Sequence, residues 1–314
     1  MLLIDRKITE ELYDIAILGG GVAGLAAAMT SGQTGLQVLV LEKAVFGGSV
    51  AVLESVTDYP GIEKIGGWEL TQAMMRQAKK AGGVLLDSIE VSGVRKTGNN
   101  IFAITCSDGN RFRSRSILVT TGGRPRLLGL EDERRFVQRG IHTCAQCAGS
   151  RYAGREVVVA GNGPWAVEAA MHLLDLGCGV YFITGDEKMC GNTRLIGKLH
   201  GFKRFRFMAG CHVEKLYGDE YLAGIEVIDL ANRESRLLKV DALFVYRGIV
   251  PDIRIIGAQQ DAKGFFVVDE NFMTTLPGVF ATGRVVYADL PVQILVGDGS
   301  RASLSAVAWL QAAG

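Results

Sequence analysis

The strongest constraint on this chain is a glycine pattern that occurs twice. The first copy is Gly19-Gly20-Gly21-Val22-Ala23-Gly24 and the second is Gly161-Asn162-Gly163-Pro164-Trp165-Ala166. Such a run belongs at a tight turn between a buried strand and a helix. The flanks of the first copy supply both elements. Tyr13 to Leu18 is a short apolar run that predicts a buried strand, and the small residues Val22 to Ser31 predict a helix. Gln37 to Leu41 predicts a second strand, closed by Glu42 at 23 residues after Gly19. Each part has a physical task. Gly19 permits the tight turn, Gly21 lets the backbone approach a pyrophosphate, and Gly24 lets helix and strand pack closely. The helix start attracts phosphates, and Glu42 suits ribose hydroxyls.

The second copy repeats the scheme. Glu156 to Ala160 predicts a strand, Ala166 to Leu176 a helix and Val180 to Ile183 a strand. A chain of 314 residues is long enough for two domains with separate cores. The expected fold class is therefore α/β, with two doubly wound nucleotide-binding domains and small antiparallel additions. Forty-one glycines against six prolines suit such a turn-rich architecture. Between the copies, Gly67 opens a predicted helix running to about Ala81. Val84 to Cys106 alternates enough for an antiparallel piece, with Thr97-Gly98-Asn99-Asn100 as its hairpin turn. Ser116 to Thr120 and Val240 to Tyr246 predict further buried strands, and Thr121-Gly122-Gly123 marks a crossing between domains. Leu276 to Gly283 reads as turn, strand, turn, and Ser300 to Gln311 as a closing amphipathic helix.

Cys144-Ala145-Gln146-Cys147 lies between the two glycine turns. Two cysteines at this spacing close a small disulfide or open to a dithiol, and one thiol of such a pair is often acidic enough to attack another disulfide. A zinc half-site would need two more ligands at short spacing. Cys106, Cys178, Cys190 and Cys211 are scattered instead, and His142 has no partner in metal spacing. Two inert core cysteines are the remaining alternative. A redox pair placed between two dinucleotide turns points to movement of two electrons between a bound cofactor and a protein disulfide.

A net charge of +1 gives no electrostatic case for nucleic acid or a membrane surface as partner. No apolar run approaches the roughly 18 residues of a membrane span. Met1-Leu2-Leu3-Ile4-Asp5-Arg6-Lys7 carries early charges and lacks a signal-peptide pattern. The expected location is cytoplasmic, where thiols are kept reduced and such a cysteine pair reads as catalytic.

With these motifs in this order, the chain resembles the low-molecular-weight thioredoxin reductases. The resemblance rests on the first glycine turn, Gly47-Gly48, Asp58-Tyr59-Pro60-Gly61, Thr121-Gly122, the cysteine pair with Gly149, the second glycine turn, Phe280-Ala281-Thr282-Gly283 and Gln293. It implies an FAD domain built from both ends of the chain, residues 1–122 and 248–314, with residues 123–247 as an insert of NAD(P)-domain type. In that family FAD passes electrons to the disulfide, NADPH supplies them, and the enzymes usually form homodimers. Carried over by motif, the FAD contacts expected are Gly19, Gly21, Gly24, Glu42, Lys43, Gly48, Ser49, Asp58, Thr121, Gly122, Gly283, Arg284 and Gln293. Gly161, Gly163 and Trp165 are the expected contacts in the insert.

Four departures from the family pattern stand out. NADPH-using members carry His-Arg-Arg after the insert's second strand, where the arginines grip the 2′-phosphate. Here Thr184-Gly185-Asp186 stands instead, and the motif's further arginine matches Cys190. A carboxylate repels that phosphate, although Asp186 still suits the free 2′-hydroxyl of NADH, and Arg194 or Lys188 is the nearby substitute cation. Second, Pro164-Trp165 replaces small polar residues, putting a bulky ring where a pyrophosphate normally lies, offering a stacking face, or packing Trp165 between helix and sheet. Third, the proton-shuttling aspartate after the cysteine pair is Ala148; His142 is a candidate replacement, with a simple exposed loop histidine as the other reading. Fourth, the aspartate expected after Gly283 is Arg284.

The reading that results is an FAD-dependent thiol-disulfide oxidoreductase with Cys144 and Cys147 as the redox pair and His142 beside them. By resemblance, Cys147 faces the flavin. The expected partner is a thioredoxin-like or other dithiol protein. The electron source is open among a nicotinamide-independent route, like the ferredoxin-linked or cyanobacterial diflavin-linked branches with a second FAD in the insert, and an NADPH route with unusual contacts. A non-catalytic flavin-binding redox sensor is the alternative of another class.

Overall fold

The computed structural model describes residues 11–98, 100–288 and 290–313. The seven-residue start Met1 to Lys7 and the turn residue Asn99 therefore lie outside the described residues. The chain divides into two compact units, Met1–Arg124 with Ile249–Gly314, and Pro125–Gly248.

The first unit is built on β1 (Leu12–Leu18), β2 (Val38–Leu41), β3 (Val84–Leu86), β4 (Val91–Lys96), β5 (Phe102–Cys106) and β6 (Arg111–Val119). They lie in the order β3-β2-β1-β6-β5-β4, with β3, β2, β1 and β6 parallel. Strand β6 serves two partners along one edge. Its first half, through Ser114, pairs antiparallel with β5, and Ile117–Val119 pairs parallel with a late strand, Val279–Ala281. The core strands are apolar on both faces because both faces are covered. In β1, Ile15 and Ile17 enter one core cluster while Ala16 and Leu18 enter another, the two-residue alternation of a strand. Helices α1 (Val22–Gln33) and α2 (Gly67–Lys80) pack on the first of these faces with a closing helix, Val292–Ala313.

Two expectations need correction here. Val84–Leu86 does not join the antiparallel hairpin but extends the parallel sheet beside β2, with Val84 opposite Leu39. Only β4 and β5 form the hairpin, and Ile101 closes its turn by donating to the Gly98 carbonyl at 2.9 Å. The closing helix begins at Val292 rather than Ser300. Within the added turns Gly299 is a packing position. A Cβ there would lie 2.2 Å from the Ala23 carbonyl oxygen on α1, so glycine is what lets the two helices touch.

The chain leaves and re-enters the first unit on two short strands that pair with each other, β7 (Gly123–Pro125) and Ile249–Pro251.

The second unit carries β8 (Ile141–His142), β9 (Glu156–Gly161), β10 (Gly179–Ile183), β11 (Phe205–Met208) and a strand at Ala242–Tyr246, here β15. Their order is β11-β10-β9-β15-β8, all parallel. One face packs on the short helix α3 (Ala145–Ala148) and on α4 (Pro164–Asp175), through Val157 and Val159. The other face, through Val158 and Ala160, is covered by an antiparallel ribbon of β12 (Cys211–Tyr217), β13 (Gly224–Asp229) and β14 (Ser235–Lys239). A further helix, α5, spans Thr193–Leu199. Among the described residues, no helix is long and apolar enough to cross a membrane.

Candidate functional site

The turn between β1 and α1 shows why its three glycines stand where they do. Gly19 has φ +107°, and a Cβ there would fall 2.4 Å from the Thr120 carbonyl oxygen. A Cβ on Gly24 would sit 2.0 Å from the Gly19 carbonyl oxygen. Gly21 is different: a Cβ there would meet nothing within 4 Å. Packing within the protein explains the first two and leaves the third with open space before it. Leu25 donates to the Gly21 carbonyl at 2.9 Å, the first full turn of α1, so the amides of Val22, Ala23 and Gly24 precede the helix's own bonding. The first turn of α1 carries no acidic side chain to compete for them.

Neighbouring residues expected at the site gather on this turn. Glu42 is buried, accepting from the Gly20 amide at 2.7 Å and the Ala44 amide at 2.9 Å. Its carboxylate thus braces the turn with one amide on each oxygen. Gly47 donates to the Gly20 carbonyl at 2.8 Å, and a Cβ on Gly48 would come 3.2 Å from Gly21 Cα, so this second glycine segment lies flat against the first. Ser49 comes next in the chain and is exposed. Gly283, at φ +76°, faces Ala23 at the start of α1, and half-buried Arg284 stands beside it in the same short turn. Asp58 and Gln293 meet each other: the Gln293 amide nitrogen donates to the Asp58 carbonyl at 2.8 Å and to its carboxylate at 2.9 Å. Lys43 pairs with Asp252 at 2.5 Å, Thr121 donates its hydroxyl to the Asp252 carbonyl, and Gly122 accepts from the Asp252 amide at 3.0 Å.

In the second unit Cys144 and Cys147 form a disulfide. Cys144 caps α3, and its Sγ accepts from the Cys147 amide at 3.1 Å. Cys144 is half-buried, Cys147 exposed and Ala148 buried. The Ala145 amide donates to the Tyr246 hydroxyl at 2.8 Å. Burial pushes the Tyr246 phenol up to about 12, so it stays protonated at neutral pH. In the sequence Tyr246 reads only as the end of an apolar strand, because nothing in a run such as Phe244-Val245-Tyr246 separates a hydroxyl with a task from a core ring.

His142 is neither an exposed loop histidine nor an open base. It is 3% exposed on β8, its Nε2 lies 2.8 Å from the Tyr152 hydroxyl, and its ring packs on Phe244. Burial, with the Arg151 charge second, lowers its pKa to about 4. A ring held neutral in this way accepts a proton poorly at pH 7.

The second glycine turn repeats the spacing of the first, with its second glycine in a different backbone conformation. Gly161 has φ +141°, with a Cβ position 2.0 Å from the Tyr246 carbonyl oxygen, and Gly163 has φ +108° with nothing within 4 Å. Its surroundings differ. The Asn162 side chain donates to the Asp186 carboxylate at 2.7 Å and the Lys188 carbonyl at 3.0 Å. Its oxygen accepts from the Gly163 amide at 2.9 Å and the Cys190 amide at 2.7 Å. Asp186 also accepts from the Thr184 hydroxyl at 3.3 Å. Trp165 is half-buried on the first turn of α4. The side chains of Lys188 and Arg194 are exposed.

Residues 13–311 match the family described as pyridine nucleotide-disulphide oxidoreductase. The chain belongs to that family. Among its relatives, a thioredoxin reductase from Helicobacter pylori is 30% identical over 96% of this chain and 99% of its own. Among solved structures, the thioredoxin reductase of Lactococcus lactis superposes with a TM-score of 0.87 at 27% identity, covering 96% of this chain and 99% of that one. The T. acidophilum thioredoxin reductase gives 0.85 at 28%, covering 95% and 99%.

This member of the pyridine nucleotide-disulphide oxidoreductases is therefore an enzyme, a flavin-dependent disulfide oxidoreductase of thioredoxin reductase type. Thioredoxin reductases use FAD, and the first unit fits it: the open space at Gly21 and the unspent amides of α1 are what a pyrophosphate requires.

Proposed function

We propose that this enzyme exchanges electrons between FAD in the first unit and the Cys144–Cys147 pair, and from that pair to a thioredoxin-like dithiol protein, with NADPH a poor electron source. FAD, when bound, supplies a two-electron store. The rest is the work of side chains. Opening the Cys144–Cys147 disulfide takes up two electrons and two protons and gives two thiols. A thiolate of the reduced pair then attacks a partner disulfide, displacing one partner sulfur as thiolate. The remaining thiol attacks the mixed disulfide, restoring the Cys144–Cys147 bond and releasing the partner as a dithiol. The Cys147 amide, already directed at Cys144 Sγ, is placed to stabilise a thiolate there, and the Tyr246 hydroxyl fixes the amide of Ala145 beside it. His142, neutral and tied to Tyr152, supports the strand beneath rather than shuttling the proton.

The observation that carries the NADPH statement is Asp186. Its carboxylate lies just past β10 and is fastened to Asn162 over the second glycine turn, where a 2′-phosphate clamp would need cations. Each missing charge-assisted bond is worth about 1.5–3 kcal/mol, roughly tenfold to a hundredfold in affinity. By resemblance we place the enzyme in the cytoplasm as a homodimer, which sedimentation of the purified protein checks.

The test is anaerobic stopped-flow mixing with NADPH and NADH, beside flavin released per chain on denaturation. The expected result is slow flavin bleaching by NADPH. Rapid bleaching at micromolar NADPH with one FAD per chain would restore the ordinary reductase. Two flavins per chain would assign the second unit a flavin of its own, and one flavin without nicotinamide response points to a ferredoxin-type donor. Cys144→Ser and Cys147→Ser should each abolish turnover of a disulfide substrate while keeping full flavin content. Loss of flavin from both, with the fold intact, would mean that the pair is structural.

A further inference from the structure

We propose that Asn162 is a specificity-determining latch: it holds the phosphate end of the second glycine turn shut, so that this unit rejects the pyrophosphate of any dinucleotide and not only the 2′-phosphate of NADPH. This deepens the proposed function and rests on it.

A glycine turn holds a pyrophosphate by the free amides where strand gives way to helix. In the second unit those donors are spent or missing. The Gly163 amide donates to Asn162 Oδ1 at 2.9 Å. Pro164, the first residue of α4, has no amide hydrogen. The amides of Ala166 and Val167 both donate back to the Gly163 carbonyl, at 3.1 and 3.2 Å. Only Trp165 remains, and its own side chain stands beside that amide.

The latch is fully made. An asparagine amide offers two acceptor sites and two donor hydrogens. Asn162 Oδ1 accepts from Gly163 and Cys190, and Nδ2 donates to Asp186 and to the Lys188 carbonyl. No capacity is left over for a ligand. The four bonds also tie down the loop after β10. Gly191 lies so near α4 that a Cβ on it would come 3.2 Å from a Val167 methyl and 3.4 Å from Pro164 Cα. The loop therefore lies over the helix start, with the Asp186 carboxylate fastened to the same Asn162 side chain that holds the Gly163 amide. A dinucleotide must break this network and meet a negative charge before it gains any bond of its own.

The test uses the full-length, FAD-loaded enzyme, with ADP as the probe because it carries a pyrophosphate and no 2′-phosphate. Isothermal titration compares the unmodified protein, Asn162→Ala and Asp186→Asn. The last removes the carboxylate's charge but keeps an oxygen for the Asn162 amide. The expected result is weak ADP binding by the unmodified protein, a gain of at least tenfold in Asn162→Ala, and a smaller gain in Asp186→Asn. Unaltered ADP affinity in an Asn162→Ala protein with normal melting and flavin content would overturn the latch while leaving poor use of NADPH untouched. Rapid bleaching of the unmodified enzyme by NADPH would instead overturn the proposed function. Amide hydrogen exchange in the unmodified protein needs no variant: Gly163 and Cys190 should both be protected, and free exchange at both positions would overturn the latch even if Asn162→Ala does not fold.

Discussion

In the first unit the strand-to-helix turn sets Gly21 before Val22 and Ala23; Glu42 braces it from the Gly20 amide, and no side chain caps the start of α1. In the second unit the turn sets Gly163 before Pro164 and Trp165, and Asn162, Asp186 and Cys190 are bonded across it. The two turns share the packing of their first glycine but not the backbone of their second, at φ −70° in Gly21 and +108° in Gly163. Gly19 and Gly161 are both pressed on a carbonyl of the neighbouring strand, Thr120 and Tyr246, and Gly21 and Gly163 both face open space. Glycine spacing thus specifies a turn, and the turn alone does not make a phosphate site. What separates a ready cradle from a closed one is whether the helix-start amides are still free, and that is decided by residues up to 28 positions away, as the Asn162–Cys190 bond shows.

The contrast is broken most directly by filling each turn. Gly21→Val should expel nearly all FAD. Gly21 has φ −70°, a conformation that valine tolerates, and its Cβ position is empty, so the chain should fold and lose only its cofactor. Gly163→Val should keep its flavin in full and lose only stability, because its φ of +108° strains any side chain. Flavin absorbance per chain after denaturation reads both. A yellow Gly21→Val protein, or a colourless Gly163→Val one, would reverse the assignment of the two turns.

Acid should sharpen the difference between the units. All four histidines of the chain, His142, His172, His200 and His212, lie in the second unit. His142 has its pKa lowered by burial to about 4, below the ordinary value of 6.5. Between these values the unfolded chain binds the proton and the folded one does not, so stability is intact above 6.5, falls as pH drops towards 4, and changes no further from this group below that. The loss amounts to about 3 kcal/mol in all. His142→Gln, which does not titrate, should flatten this part of the stability curve when denaturant melts are taken from pH 7 to pH 4. An unchanged slope would show that the ring is accessible to protons.

The smallest effect expected is at Tyr246. Tyr246→Phe removes the acceptor for the Ala145 amide at 2.8 Å. The cost should be about 1 kcal/mol, with the fold kept. Hydrogen exchange at Ala145 should accelerate roughly fivefold, while exchange in α1 of the first unit should not change. Equal acceleration in both would mean that the substitution loosens the whole chain.

Much of the architecture was legible in the sequence because buried parallel strands are short apolar runs, and a glycine turn marks where such a strand hands over to a helix. Val157 to Ala160 and Ile15 to Leu18 needed no tertiary information. The ribbon from Cys211 to Lys239 did, since its strands are half-exposed and interrupted by charges such as Glu214, Lys215 and Glu226. So did the eight-residue extension of the closing helix to Val292, where Gly299 serves a helix contact that only the fold reveals. At the site, the cysteine pair was plain from spacing. The burial of His142 was not, because two residues of strand before a cysteine look like loop. The charge of Asp186 marks it as an obstacle to NADPH, but its bond to Asn162 joins residues 24 apart, and no local pattern carries that.

The pairing of β6 with the strand Val279–Ala281 has a consequence for how the molecule comes into being. Ile117 lies opposite Val279, so the first unit closes its sheet with residues separated by the whole of the second. The second unit is one continuous segment, Pro125–Gly248, and needs nothing made after it. On the ribosome it is complete while the first unit still lacks a strand and its longest helix. The earlier-made part of the first unit is thus the part that must wait, with the apolar edge of β6 held open until Val279–Ala281 emerges.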